Sequence, residues 1–114
     1  KGTLAQFESL LNNYFRSDHP QTLGLPSVAF CAQELNLSAK YFGDLVKKET
    51  GQTAQEYIQK KIIETAKNKI FDRHKTINEI AFELGFKYPQ HFSRVFKQRV
   101  GQSPNEYRLL NQLN

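Results

Sequence analysis

The chain says almost the same thing twice. Residues 41–59 read "YFGDLVKKETGQTAQEYIQ" and residues 91–108 read "HFSRVFKQRVGQSPNEYR". Phe42, Lys47, Gly51, Gln52, Glu56 and Tyr57 return as Phe92, Lys97, Gly101, Gln102, Glu106 and Tyr107, an offset of 50. Upstream, Ala32, Glu34 and Leu35 return as Ala81, Glu83 and Leu84 at an offset of 49, so the extra residue falls in the turn between paired segments. The two copies fill most of a 114-residue chain. A unit of this size buries too little surface to be more than marginal alone.

Apolar residues recur at spacings of three and four, which is helical periodicity. Leu4, Phe7, Leu10, Leu11, Tyr14 and Phe15 form one stripe. "SDHPQTLGLPS" follows, with Pro20, Gly24 and Pro26, and reads as a loop. Ser27 caps a helix that buries Val28, Cys31, Ala32 and Leu35 and ends at Asn36. Ser38 caps another, with Phe42, Leu45 and Val46 inward, stopping at Gly51. "TAQE" (Thr53–Glu56), "TINE" (Thr76–Glu79) and "SPNE" (Ser103–Glu106) fit the capping box, a hydroxyl for the third amide and a Glu reaching back. Pro104 stands at the first helical position, where proline is tolerated. The longest helix is expected from Thr53 to Phe71, with Tyr57, Ile58, Ile62, Ala66 and Ile70 toward the core. No segment alternates as a strand would. The expectation is an all-α chain of seven helices. It divides into residues 1–52 (a leading helix and a first helix pair), 53–72 (the linking helix) and 73–114 (a second pair and a closing helix).

A short helix, a turn and a longer helix is either a helix-turn-helix or a plain helical hairpin in a bundle. The turn chemistry favours the first. Ala81 and Gly85 are spaced for close helix approach and a left-handed turn; Ala32 and Asn36 hold the same places in the first copy, and Asn is the next-best left-handed residue. Charge agrees. Residues 1–57 hold five Lys/Arg against six Asp/Glu, −1, and residues 58–114 hold eleven against five, +6, which together give the net +5. A basic half suits a polyanion, nucleic acid before membrane.

At this point the pattern is recognisable. "INEIAFELGFKYPQHFSRVFKQRVGQSPNEYR", residues 77–108, resembles the DNA-binding domain of the AraC/XylS family of bacterial transcriptional regulators. The resemblance is carried by Ile80-Ala81, Gly85-Phe86, Phe92-Ser93-Arg94-x-Phe96-Lys97 and Gly101-x-Ser103-Pro104-x-x-Tyr107-Arg108. "CAQELNLSAKYFGDLVKKETGQTAQEYI" looks like the less uniform first unit of that family, and the likeness covers residues 5–110. It implies two helix-turn-helix units joined by a long helix, each placing its second helix in a major groove of double-stranded DNA. It also implies RNA polymerase as a partner, a cytoplasmic, nucleoid-associated protein, and a sensor or dimerisation domain in a longer regulator, which would suit a chain beginning at Lys1 rather than Met. A linking helix of about nineteen residues spans roughly 28 Å at 1.5 Å per residue. Successive major grooves on one face lie roughly 34 Å apart.

In the second unit Phe92, Val95 and Phe96 point inward. The opposite face presents Gln90, His91 and Arg94, with Lys87 and Pro89 near the helix start. Arg suits a bidentate contact to guanine and Gln one to adenine, and the resemblance makes Pro89, Gln90, His91 and Arg94 base contacts. The matching face of the first unit is Lys40, Tyr41, Gly43, Asp44 and Lys47. Lys40, Tyr41 and Asp44 are its candidates for bases. Asp44 could accept from cytosine, repel phosphate, or pair with Lys40 or Lys47. Lys47, Lys48, Lys87, Lys97 and Arg99 are phosphate candidates, drawn from a pool that also includes Lys60 and Lys61. The helix starts near Thr53 and Ser103 could offer amides to phosphate.

Other classes fare worse. No nucleophile–base motif, paired metal ligands or phosphate-cradling glycine loop is present, so neither enzyme activity nor a cofactor is implied. His19, His74, His91 and Cys31 lack ligand spacing. One cysteine excludes an intrachain disulfide and fits a reducing compartment. No apolar run reaches membrane-span length. A protein-interaction module without DNA specificity is the chief alternative; it should display exposed apolar anchors, whereas residues 87–99 display Lys, Gln, His and Arg. RNA binding would call for aromatics in an open stacking platform, and here they read as buried.

Overall fold

The computed structural model describes residues 2–112. Eight helices are found among them: α1 (Thr3–Arg16), α2 (His19–Leu23), α3 (Val28–Glu34), α4 (Ala39–Thr50), α5 (Ala54–Ile70), α6 (Ile77–Leu84), α7 (Pro89–Val100) and α8 (Pro104–Leu110). No strand occurs among the described residues. The extra helix is α2, inside the segment expected to be a loop. Pro20, taken as loop punctuation, sits in the first turn of that helix, where its missing N–H is not needed, and Gly24 ends it.

The other boundaries follow the caps. All three capping boxes form in both directions, with Glu Oε1 accepting from the cap amide at 2.7–2.8 Å and the cap oxygen accepting from the Glu amide at 3.0–3.1 Å. Ser27 and Ser38 cap α3 and α4 by accepting from Phe30 and Tyr41 amides. The linking helix falls between its expected ends, with Thr53 and Phe71 as its caps.

The repeat is structural. α3–α4 and α6–α7 are the two helix pairs, and α8 is the shortened counterpart of the start of α5. The turns match: the amides of Leu37 and Phe86 donate to the carbonyls of Ala32 and Ala81 at 2.9 and 3.0 Å. Asn36 takes the left-handed conformation at φ 60 where Gly85 has φ 102. Residues 41–50 and 91–100 share the same pattern of burial position by position.

One continuous core serves both pairs. Ile58, Ile62, Ile63, Ala66 and Ile70 of α5 run through it. In the first unit Phe7 packs edge-on against Phe42 at 4.8 Å and against Tyr57 at 4.9 Å. In the second, Phe86, Phe92, Phe96 and Tyr107 form a chain of rings 5.3–5.7 Å apart. Val28, Leu35, Leu45, Tyr57 and Val95, expected inward, are half-buried at the rim of the core. Polar ties hold α5 at each end. Glu8 on α1 accepts from Tyr57 and, at 2.8 Å, from Lys61. Arg108 on α8 donates to the carbonyls of Ile70 and Asp72 at 3.0 and 3.2 Å, closing the last turn of α5. Glu83 on α6 pairs with Lys69 at 3.0 Å and Lys75 at 2.9 Å. The result is elongated, 43 × 29 × 24 Å.

Candidate nucleic-acid interface

The two outer helices are pinned from behind and bare in front. Phe42 and Val46 of α4, and Phe92 and Phe96 of α7, are fully buried. These residues lie at i and i+4 on one face, so the opposite face of each helix is turned outward. On α7 this exposes Gln90, His91 and Arg94 on one face. None makes a side-chain hydrogen bond among the described residues; the His91 ring instead rests edge-on against Phe86 at 5.2 Å. His91 is therefore held in place, with its outer edge free to face a ligand. Pro89 is half-buried in the first turn of α7, where it sets the entry of the helix.

On α4 the corresponding residues Lys40, Tyr41 and Asp44 are exposed. The three alternatives for Asp44 narrow here: its carboxylate pairs with Lys40 Nζ at 3.1 Å, one helical turn away. Both side chains remain largely exposed, so the pair is weak and separable. The Lys40–Asp44 patch at the start of α4 is thus neutralised, whereas Arg94 at the matching place on α7 is unpaired among the described residues. Gly43 lies between, with nothing within 4 Å of where a Cβ would stand.

The phosphate candidates divide. Lys47 and Lys48 in the last turn of α4, Lys97 and Arg99 in the last turn of α7, and Lys87 in the turn before α7 are exposed. None is in an ion pair among the described residues. Lys61 leaves the pool, because its ammonium is committed to Glu8 at 2.8 Å. The starts of α5 and α8, also candidates for phosphate, each carry a carboxylate beside their amides. The Glu56 and Glu106 carboxylates occupy those starts, held below their ordinary range by hydrogen bonds from Thr53 and Ser103. A phosphate arriving there would meet an anion.

Sequence reasoning missed Tyr88. It is the residue before α7, largely exposed, with the Lys87 ammonium 5.7 Å from its ring. The signal was available: Tyr88 replaces the serine cap that the first copy has at Ser38, and an aromatic cannot cap. Tyr41, Phe71, Phe82 and Tyr88 are each at least half exposed; for Tyr41 this is the outward position expected of it, and for the other three it departs from the expectation of buried aromatics. They lie on four separate elements, so each escapes burial for a local reason, as a cap or on the outer side of its helix.

Comparison with known proteins bears on this arrangement directly. A family model described as "Helix-turn-helix domain" matches residues 31–109, both helix pairs and the linking helix. The chain belongs to the AraC/XylS family of helix-turn-helix DNA-binding domains. It is 32% identical over 101 residues to the probable transcriptional regulator LumQ of Photobacterium leiognathi, covering 86% of this chain and 38% of LumQ. The chain thus spans well under half the length of that relative. It is similar to the C-terminal domain of the two-component response regulator yesN from Fusobacterium nucleatum, with TM-score 0.73, 26% identity, and coverage of 89% and 96%. The DNA-binding domain of AdpA, solved in complex with a target DNA, shares the fold: TM-score 0.75, 18% identity, coverage of 91% and 90%. For an AraC/XylS domain, α4 and α7 are the second helices of the two units, and the residues assembled above are their outward faces.

No helix among the described residues is long and apolar enough to cross a membrane. The exposed aliphatic and phenylalanine side chains Leu23, Phe71, Phe82, Leu109 and Leu110 belong to α2, the end of α5, α6 and α8, while Tyr41 on α4 and Tyr88 just before α7 are exposed tyrosines.

Proposed function

We propose that this domain binds a specific, asymmetric site on double-stranded DNA, with α4 and α7 entering successive major grooves on one face, as the DNA-binding part of a bacterial transcriptional regulator. The observation that carries this is α7. Its inner face is fixed by Phe92 and Phe96, and its outer face offers Gln90, His91 and Arg94 with their polar groups uncommitted. Arg94 reads guanine and Gln90 adenine; His91 and Pro89 complete the contact, with Tyr88 beside them. Lys40, Tyr41 and Asp44 face the other groove. Lys47, Lys48, Lys87, Lys97 and Arg99 meet phosphates and set the salt dependence. The 17-residue α5 spans roughly 25 Å. With a helix pair at each end, the 43 Å molecule is long enough for grooves roughly 34 Å apart.

The longer regulator would add a sensor or dimerisation domain and act through RNA polymerase in the cytoplasm. The protein-interaction alternative is disfavoured by α7 itself, where none of residues 89–100 is an exposed large apolar side chain. The test is selection of bound duplexes from a random pool at moderate salt, repeated with Arg94→Ala. Two blocks about one helical turn apart are expected. Arg94→Ala should lose roughly 1–3 kcal/mol on the selected site and relax one or two base pairs. An equal loss on every sequence would remove Arg94 from base reading.

A further inference from the structure

Gly85 does more than turn the chain between α6 and α7. A Cβ placed there would stand 2.8 Å from the carbonyl carbon of Gly24, 2.9 Å from its oxygen and 2.9 Å from the amide nitrogen of Leu25. These are backbone atoms of the segment that leads from α2 into the first helix pair. That segment is itself fixed. The Gly24 amide donates to Pro20 at 2.9 Å, and the Tyr14 hydroxyl donates to the Gly24 carbonyl at 2.7 Å. Gly24 has φ 89 and ψ −161, a conformation open essentially to glycine alone. α2 packs on α6, and Pro20 is fully buried. The two units are thus joined twice: through α5, and through a backbone-to-backbone seam at Gly24 and Gly85.

The repeat supplies an internal control. The matching turn residue of the first unit, Asn36, carries a side chain and is exposed. A left-handed turn alone tolerates Asn. The second unit excludes any Cβ because another backbone lies against it. The seam also borders the reader: Phe86, next in the chain, is the ring on which His91 and Phe92 pack.

We propose that the Gly24–Gly85 seam sets the distance and angle between the two reading helices, so that Gly24 and Gly85 determine which spacing of the two DNA blocks is accepted. A single helical rod bends and twists; a second attachment removes that freedom. This rests on the two-groove reading above. Inserting one base pair between the blocks shifts the second by roughly 3.4 Å and rotates it by roughly 34°. A locked pair cannot follow that change, and a loosened pair can.

The test compares Gly85→Asn with Gly101→Asn. Gly101 has φ 91 and nothing within 4 Å of a Cβ, so its variant carries the backbone strain without the seam clash. Tyr14→Phe, which removes only the hydroxyl that braces Gly24, gives a milder opening in a chain certain to keep its core. Spin labels on Glu49→Cys and Gln98→Cys report the distance between α4 and α7; buried Cys31, its thiol pushed by burial up to about 11, stays unlabelled. Affinity is measured for the two-block duplex and for the same duplex with one base pair inserted. The parent and Gly101→Asn should show one narrow distance and lose at least about tenfold in affinity on insertion, the loss of simultaneous engagement. Gly85→Asn should show a broadened distance and a smaller insertion penalty, with Tyr14→Phe between them. A narrow distance in both Gly85→Asn and Tyr14→Phe, or an unchanged insertion penalty despite a broadened one, would overturn the proposal. A parent with no spacing dependence would instead bring down the two-groove reading, whatever the distances show.

Discussion

Gly43→Ala is the substitution for which the structure gives the clearest two-sided expectation. Gly43 sits in the interior of α4, a 12-residue helix capped by Ser38 and stopped by Gly51. Glycine in a helix interior destabilises by roughly 0.5–1 kcal/mol relative to alanine, through lost backbone entropy. That gain is recovered only if the new methyl meets no obstacle. Here a Cβ would have no atom within 4 Å, and the backbone at Gly43 is not in a positive-φ conformation. The whole gain of roughly 0.5–1 kcal/mol should therefore appear as stability, which for a domain of this size raises Tm by roughly 2–8 °C. Thermal unfolding followed by circular dichroism measures it. An unchanged or lowered Tm would refute the reasoning. The same variant asks why the glycine is there. An empty outer side between Tyr41, Asp44 and Lys40 is a place where DNA can approach the helix backbone, so affinity for the selected site should fall as Tm rises. A higher Tm with full affinity would show that α4 stands further from the groove than α7 does.

Two other perturbations separate the roles of charge. Asp44→Ala removes an acceptor and releases Lys40 from its 3.1 Å pair. Affinity should rise on unrelated sequences, with the slope of log K against log salt steeper by about one, and Tm should hardly move because the pair is exposed; a loss confined to sequences with cytosine at one position would show that Asp44 reads that base instead. The acid limb of stability should follow Glu8 and Glu83. Hydrogen bonds from Lys61 and Tyr57 hold Glu8 below the ordinary value of 4.5. At Glu83 burial opposes ionisation, but Lys75 and Lys69 outweigh it. A depressed folded pKa contributes stability that is fully present above the unfolded value and lost as pH falls through the folded one. Tm should therefore hold between pH 7 and about 5 and decline below 4.5, the ordinary carboxylate value. The double variant Glu8→Gln, Glu83→Gln should start lower at neutral pH and decline less steeply, and an unaltered acid limb would sink this assignment.

Much of the fold was legible because it is written in caps and stops. Thr53, Thr76 and Ser103 with their glutamates, and Gly51, Gly85 and Gly101, mark helix ends by local chemistry that tertiary packing did not overrule. α2 was hidden because its helical signal is only five residues long and has a proline as its second residue, which marks both loops and first turns. Side-chain partners across the fold were not legible at all. Lys61 looked like any other surface lysine until Glu8, 53 positions earlier, was brought against it. The seam was invisible for the same reason: Gly85 has a sufficient local explanation in its turn, and only the arrival of Gly24 gives it a second one. The readers' outward faces were legible, since fixing Phe92 and Phe96 inward determines where Gln90 and Arg94 must point.

The comparison of the two copies also says where a duplicated reader is free to change. Where the side chain is buried, the copies keep its kind: Ala32 and Ala81, Phe42 and Phe92, and the apolar Val46 and Phe96. Where it faces outward on the second helix, they part: Lys40 against Gln90, Tyr41 against His91, Asp44 against Arg94. Packing keeps the first set apolar, and the change from Val46 to Phe96 shows that size follows the space each unit's own core leaves. The second set is held only lightly from inside, by His91 against Phe86 and by the exposed Lys40–Asp44 pair, so its composition is left to what lies outside. Two identical readers on one rigid frame would demand a direct repeat in the DNA. Two different ones demand two different blocks in a fixed order, and their order gives a single chain a direction along the duplex. A two-fold dimer of identical readers has no such direction. In the reading proposed above, the differing outward faces of α4 and α7 would therefore select two different DNA blocks, with the seam at Gly24 and Gly85 keeping the interval between them.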